Sequence, residues 1–222
     1  MRKLVSLILI VVMLVSMCSF SVYADNELKN DKVYIVLGPS GFENLGNWVV
    51  QKDHTTEYNI LLGATNGIPS VDTPATFDIC LPEAGTYKMH VLSKDFLTNP
   101  GTRYFDVALG NVITQRFGDH CKDGFYWQST DPFLSFGGDM TLSLIDVKGN
   151  CARCAAIVIT NDMEFVPSAD LESVNKLLEK QYIKGQYTYT PNAAPDNRPD
   201  DEIAVSLNGE WLKFDVAPVI VN

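Results

Sequence analysis

An all-β fold, an antiparallel β-sandwich, is what this sequence predicts, on three observations. Between residues 103 and 162 each short segment alternates apolar with polar residues or is a β-branched run. Each also closes on Gly, Asn or Asp, the signal of short strands joined by turns, and no helix-period stretch competes there. The composition, 46% hydrophobic and 20% charged over 222 residues, is that of a globular protein able to bury a sizeable core.

Residues 1–24 read as an export signal. Arg2 and Lys3 precede an unbroken apolar run over 7–15, and Val22-Tyr23-Ala24 supplies a cleavage site. The run is too short to span a bilayer, so no membrane insertion is expected after cleavage and the protein is expected to be secreted or on the cell surface. Cleavage leaves 15 of the 17 basic residues against 27 acidic ones, a net charge of −12. Such a surface repels nucleic acid and anionic lipid.

The first strand is expected over residues 32–37 (KVYIVL), broken by Gly38-Pro39-Ser40-Gly41, and a second over 47–51 with Trp48 on it. Within the polar stretch that follows, only 58–62 is strand-like. Residues 76–81 place Phe77, Ile79 and Leu81 on one face, and residues 86–92 do the same for Tyr87, Met89 and Val91. The loop Pro82-Glu83-Ala84-Gly85 between them reads as the turn of an antiparallel hairpin. His90 falls on the polar side, as a solvated histidine. The same period puts Phe105, Val107 and Leu109 inward, then Met140, Leu142 and Leu144.

Four cysteines remain after export: Cys80, Cys121, Cys151 and Cys154. An even count in an exported chain points to disulfides, with three possible connectivities, or to thiols left free in an anaerobic setting. Redox catalysis by Cys151 and Cys154 fits poorly, because the pair precedes a strand rather than a helix. A zinc site from His120, Cys121, Cys151 and Cys154 also fits poorly, since neighbouring residues of an extended segment point apart.

Ser168 is placed to cap a short helix over 168–182, with Leu171, Val174, Leu177 and Leu178 on the side that docks on the sandwich. Residues 183–201, with Pro191, Pro195 and Pro199, read as an extended, mobile linker. Beyond it, Asn208-Gly209 between two short apolar runs gives a hairpin.

The segments FENLGNWVVQ, ATFDICLPEAGTYKMHVLSKD, FYWQ and CAAIVITNDMEFVPS, in that order, resemble a golvesin-like (xanthan-lyase-type) domain over about 33–168, and the sandwich domain is expected to span 25–167. The resemblance implies a jelly-roll-like sandwich, often an accessory module of secreted oxidoreductases or polysaccharide-degrading enzymes, for which sugar binding is the expected role. The run VSLNGEWLKFDVAPVIVN resembles the opening of the copper amine oxidase-like N-terminal domain, and the expectation is that 202–222 is the truncated start of that module. No histidine lies near it to build a copper site.

Sugar binding assigns the candidate platforms to Trp48, Tyr104, Tyr126 and Trp127, since an aromatic face covers the C–H face of a pyranose while polar neighbours take its hydroxyls. Either tryptophan could instead fill the core. Tyr126 and Trp127 cannot both face inward from an extended segment, so one looks out. The expected partner is a polysaccharide or cell-wall glycan. Related sandwiches hold calcium through acids near the first strand and in the last; neither is present here, which leaves Asp119, Asp123 and Asp131 as the residues that could hold calcium. No other cofactor is expected. Nucleophile-elbow and phosphate-cradling motifs are absent, so the chain is expected not to be an enzyme, with paired carboxylates the one arrangement a sequence leaves open. The alternative is a structural spacer of a larger surface protein with no ligand of its own.

Overall fold

A computed structural model describes residues 28–191, 204–207 and 210–213. The expected export signal, the expected turn at 208–209 and the rest of the expected linker and C-terminal module lie outside the described residues.

The strands are β1 (Tyr34–Leu37), β2 (Val49–Lys52), β3 (Asn59–Leu62), β4 (Ser70–Leu81), β5 (Gly85–Asp95), β6 (Phe105–Leu109), β7 (Ile113–Phe117), β8 (Gly124–Ser129), β9 (Phe133–Ser135), β10 (Gly138–Asp146) and β11 (Arg153–Thr160). One short helix, α1 (Leu171–Leu178), follows. A seven-stranded sheet runs β2-β3-β11-β5-β8, with β1 on β11 and β9 on β5; a four-stranded sheet runs β4-β10-β6-β7. Every pairing is antiparallel. The separate antiparallel pair β12 (Ala204–Leu207) and β13 (Glu210–Lys213) has Leu207 opposite Glu210.

The core lies between the sheets. Phe77, Ile79, Leu81, Phe105, Val107, Leu109, Leu142 and Leu144 meet Ile35, Leu37, Tyr87, Met89, Val91, Ile157 and Ile159. These include the residues that alternation selects, apart from Met140, which is half-buried at the margin.

The expected hairpin between residues 76–81 and 86–92 does not form. β4 pairs with β10 in one sheet, and β5 pairs with β11 and β8 in the other. The Pro82-Glu83-Ala84 segment arches between layers, so the two apolar faces meet across the core instead of side by side. Alternation fixes which face is buried, and says nothing of the neighbouring strand.

The outer face of the seven-stranded sheet is also covered. Tyr34, Val36 and Val158 lie under Phe165 and Leu177, and Tyr58, Ile60, Leu92, Phe125 and Ala156 lie under Val174. That is why β1 and β11 are buried on both faces. His90, expected in solvent, is 2% exposed beneath the Phe165 ring. The helix cap also shifts: Asp170, not Ser168, accepts from the Ser173 N–H at 2.8 Å, and the Ser168 hydroxyl donates to the Asp170 carboxylate.

Residues 182–190 are docked and not a free linker. Tyr182 N donates to Val36 O at 2.7 Å, and its hydroxyl accepts from Cys80 N at 3.1 Å, joining the open edges of β1 and β4. Tyr187 stacks on Tyr182, and Thr190 N donates to Pro82 O at 2.9 Å. An uncovered strand edge is a template for unwanted pairing, and this strap blocks two of them.

All four described cysteines are free thiols, which corrects the disulfide expectation. Cys80 and Cys154 are buried on strands of different sheets, while Cys121 and Cys151 sit in separate loops. Among the described residues no helix is long and apolar enough to cross a membrane.

Candidate functional site

At one end of the sandwich the β3–β4, β5–β6, β7–β8 and β10–β11 loops gather, held by two fully buried carboxylates. Asp95 accepts from Phe96 N at 2.8 Å, Gly101 N at 2.7 Å and Cys121 N at 3.0 Å, tying two loops together. Asp146 accepts from Ala64 N at 2.8 Å and Gly149 N at 2.7 Å, tying the other two. A hydrogen bond to a charged group contributes about 1.5–3 kcal/mol, so these loops are fixed. Gly118 is required among them: its φ is +85°, and a Cβ there would lie 2.8 Å from Arg103 O.

Tyr126 opens onto this end. In β8 the side chains alternate, and Phe125 and Trp127 turn toward the covered outer face. The Trp127 indole N–H donates to Ser168 O at 2.9 Å. Tyr126 therefore takes the opposite side of an edge strand and is 39% exposed. Lys122 Nζ lies 4.9 Å from its ring centroid, and the His120 ring 5.1 Å away. Burial pushes the His120 imidazole below its ordinary value, against the Ser93 carbonyl it touches at 3.2 Å. The Gln128 carboxamide accepts from Gly118 N at 2.6 Å and donates to Asp119 at 2.9 Å, which sets the loop that carries His120 and Lys122.

Tyr104 is half-buried, with the Arg116 guanidinium 4.1 Å and Lys148 Nζ 5.9 Å from its ring centroid. Arg116 is itself paired with Asp106 at 3.1 Å. Trp48 is 2% exposed; its ring meets Phe105 edge-on and its N–H reaches Leu144 O at 3.0 Å. The structure thus brings Tyr104 and Tyr126 to the loop end and places Trp48 in the core and Trp127 beneath the C-terminal segment. The loop-pinning residues Asp95, Asp146 and Gln128 were missed by the sequence reading. For Asp146, the spacing Asp-Val-Lys-Gly is a turn signal that could have found it.

Beside these loops lies a buried ion group. Asp53 meets Lys94 Nζ at 2.6 Å and Arg153 Nε at 3.3 Å, with the Asp53 and Lys94 side chains 1% and 3% exposed. Burial alone would raise the Asp53 pKa. The Lys94 ammonium and the Thr55 and Thr56 groups outweigh it and hold the carboxyl down at about 2.

Two arrangements have the outline of catalytic pairs. His90 Nδ1 lies 2.8 Å from Ser129 Oγ, but burial, helped by Lys88, pulls the imidazole down to about 4, too weak for a general base near neutrality. Asp78 and Asp139 line a cleft of about 460 Å³ between the four-stranded sheet and the strap. There the Thr141 hydroxyl and Lys184 hold Asp78 below its ordinary value, opposite to what a general acid requires. Asp119, Asp123 and Asp131 are not gathered, since the described residues contain no group of three or more His, Cys, Asp or Glu able to hold a metal. Cys154 lies in the core, where burial pushes its thiol up, so Cys151 and Cys154 do not form a reactive pair.

No family model matches the chain, and no curated protein does. Among solved structures it is similar to the C-terminal family 6 carbohydrate-binding module of a marine laminarinase from Zobellia galactanivorans, at 12% identity and TM-score 0.45 over 58% of this chain and 100% of that one. It is also similar to a family 35 carbohydrate-binding module from Cellvibrio japonicus (9% identity, TM-score 0.43, 57% and 92% covered). A third is the family 35 carbohydrate-binding module from Clostridium thermocellum (19%, 0.42, 56% and 96%).

Proposed function

We propose that this chain is a non-catalytic, exported module that binds carbohydrate or adheres to a cell-wall glycan through its loop end. The observation that carries the reading is Tyr126, an outward aromatic ring beside the polar side chains of His120 and Lys122 on loops fixed by buried carboxylates. An exposed aromatic held rigidly costs little entropy to engage, and its face suits the C–H side of a pyranose. Lys122, on a flexible stem, swings off the ring to meet the sugar's oxygens. Tyr104 extends the surface.

Within this reading residues 25–167 are a golvesin-like sandwich, 1–24 direct export, and 202–222 open a copper amine oxidase-like module. The chain then serves as an accessory domain of a larger surface protein, polysaccharide-degrading enzyme or secreted oxidoreductase. The test is a retention screen on plant, microbial and host polysaccharides, repeated with Tyr126→Ala and Tyr104→Ala. Retention lost in a folded Tyr126→Ala variant supports binding. Retention on none of them assigns the chain to the spacer alternative.

A further inference from the structure

Residues 28–191 contain three arginines, and all three stand at the loop end with the guanidinium against an aromatic ring. Arg103 lies 4.3 Å and Arg153 4.9 Å from the centroid of Phe96 on the β5–β6 loop, and Arg116 lies 4.1 Å from that of Tyr104. Lys94 Nζ is also 4.7 Å from the Phe96 centroid. One ring therefore gathers three cations, on a chain whose net charge is −10.

Carboxylates account for all of these cations but one. Arg116 is held by Asp106, and Asp53 serves both Lys94 and Arg153. Among the described residues Arg103 has no ion pair. Its polar contact is Asn99 O at 3.5 Å, an oxygen that already accepts from the Thr102 hydroxyl at 2.8 Å. Asp95, close by, is fully buried and gives its oxygens to the backbone N–H groups of Phe96, Gly101 and Cys121. Contact with Phe96 explains how the Arg103 guanidinium is held, and not why a further positive charge stands beside two others, since like charges at close range repel. Most of its N–H groups are left unspent.

Arg103 adjoins the surface that carries Tyr126 and Tyr104. Its carbonyl faces Gly118, where a Cβ would come within 2.8 Å, and Gly118 opens the loop that brings His120 and Lys122 to the Tyr126 ring. We propose that the glycan taken at the loop end is acidic, with Arg103 receiving the carboxylate of a uronic acid unit beside the sugar ring on Tyr126. This rests on the reading of that end as a sugar site. A guanidinium matches a planar carboxylate through paired N–H···O bonds, and the bound anion offsets the charge gathered on Phe96. The negative net charge does not forbid it, because at physiological ionic strength fields fade over about 8 Å and the groups at the contact decide. That charge does oppose retention by simple ion exchange, so binding of an acidic polymer reports a local site.

The test is affinity electrophoresis of the full chain in gels holding polygalacturonate, alginate or hyaluronate, each beside its carboxyl-reduced counterpart, with dextran sulfate and neutral polysaccharides alongside. The proteins are the parent and the Arg103→Gln, Arg103→Lys and Lys184→Gln variants, each checked by a thermal melt. Arg103 is half-buried and Lys184, on the strap, is at the surface. At least one polyuronide is expected to retain the parent, with the reduced polymer binding at least about tenfold more weakly and affinity falling several-fold on a roughly tenfold rise in ionic strength. Arg103→Gln is expected to weaken it about tenfold, and Arg103→Lys, which keeps the charge and loses the fork, several-fold. Lys184→Gln removes the same charge elsewhere and should stay within about twofold of the parent. Retention by neutral polysaccharides alone, or equally by a polyuronide and its reduced counterpart, would overturn the acidic ligand and leave the sugar reading in place. Retention by no polysaccharide would remove both. Dextran sulfate held more tightly than any polyuronide, Arg103→Gln binding as the parent does, or an equal loss in Lys184→Gln would overturn the carboxylate site at Arg103.

Discussion

Replacing Lys94 by methionine removes the closest partner of a carboxylate that is 1% exposed. Breaking a buried pair from one side costs about 3–5 kcal/mol, because the remaining charge is left uncompensated. Arg153 still stands 3.3 Å from the other Asp53 oxygen, so the lower end of that range, about 3 kcal/mol, applies. For a body of this size each kcal/mol moves the melting temperature by about 2–4 °C, giving a fall of roughly 6–12 °C in differential scanning calorimetry. Acid supplies a second arm. Asp53 ionises at about 2 when folded, below its ordinary 3.8, so its contribution is complete above pH 3.8 and is lost as the pH falls through about 2. That gap corresponds to about 2 kcal/mol, which Lys94→Met should largely abolish. The double variant Asp53→Leu/Lys94→Met should recover much of the loss, since removing both charges also removes their desolvation cost. A Lys94→Met protein within about 1 kcal/mol of the parent, or a double variant no better than the single, would refute this reasoning.

Two further expectations follow from burial. The His90 imidazole should titrate near pH 4 by proton NMR, because burial and Lys88 disfavour its charged form. Its contribution is whole above the ordinary 6.5 and is lost as the pH falls from 6.5 to about 4, roughly 3 kcal/mol in denaturant unfolding; a midpoint near 6.5 would contradict this. With a thiol reagent, Cys121 and Cys151 should react in the native protein and Cys80 and Cys154 only after unfolding, so all four reacting in the native protein, or only two of the four after unfolding, would be inconsistent.

The inner face of the sandwich was legible because a period of two marks it directly: Phe77, Ile79 and Leu81 need no partner strand to declare which way they point. Which strand lies beside them is decided elsewhere in the chain, so β4 and β5 looked like a hairpin and proved to be an arch. The strap was hidden for a similar reason. Tyr182 and Tyr187 sit among polar and turn-forming residues with no apolar period, and only the edges of β1 and β4 give them something to cover. His90 was misplaced into solvent because the Phe165 ring that covers it comes from a distant part of the chain. At the loop end, alternation said that one of Tyr126 and Trp127 looks outward but not which, and the loop that brings His120 and Lys122 to the Tyr126 ring is set by Asp95 and Gln128, whose contacts lie outside any local pattern. The ion group of Asp53, Lys94 and Arg153 joins three separate parts of the chain and carries no local signature.

The central claim is that a rigid outward ring at the loop end meets a sugar. Its most direct test is amide chemical-shift mapping with an oligosaccharide cut from whichever polysaccharide the protein retains. The account predicts the largest shifts at His120, Lys122 and Tyr126, and their loss together with retention in Tyr126→Ala. Shifts confined to the strap, with Tyr126→Ala binding as the parent does, would contradict it.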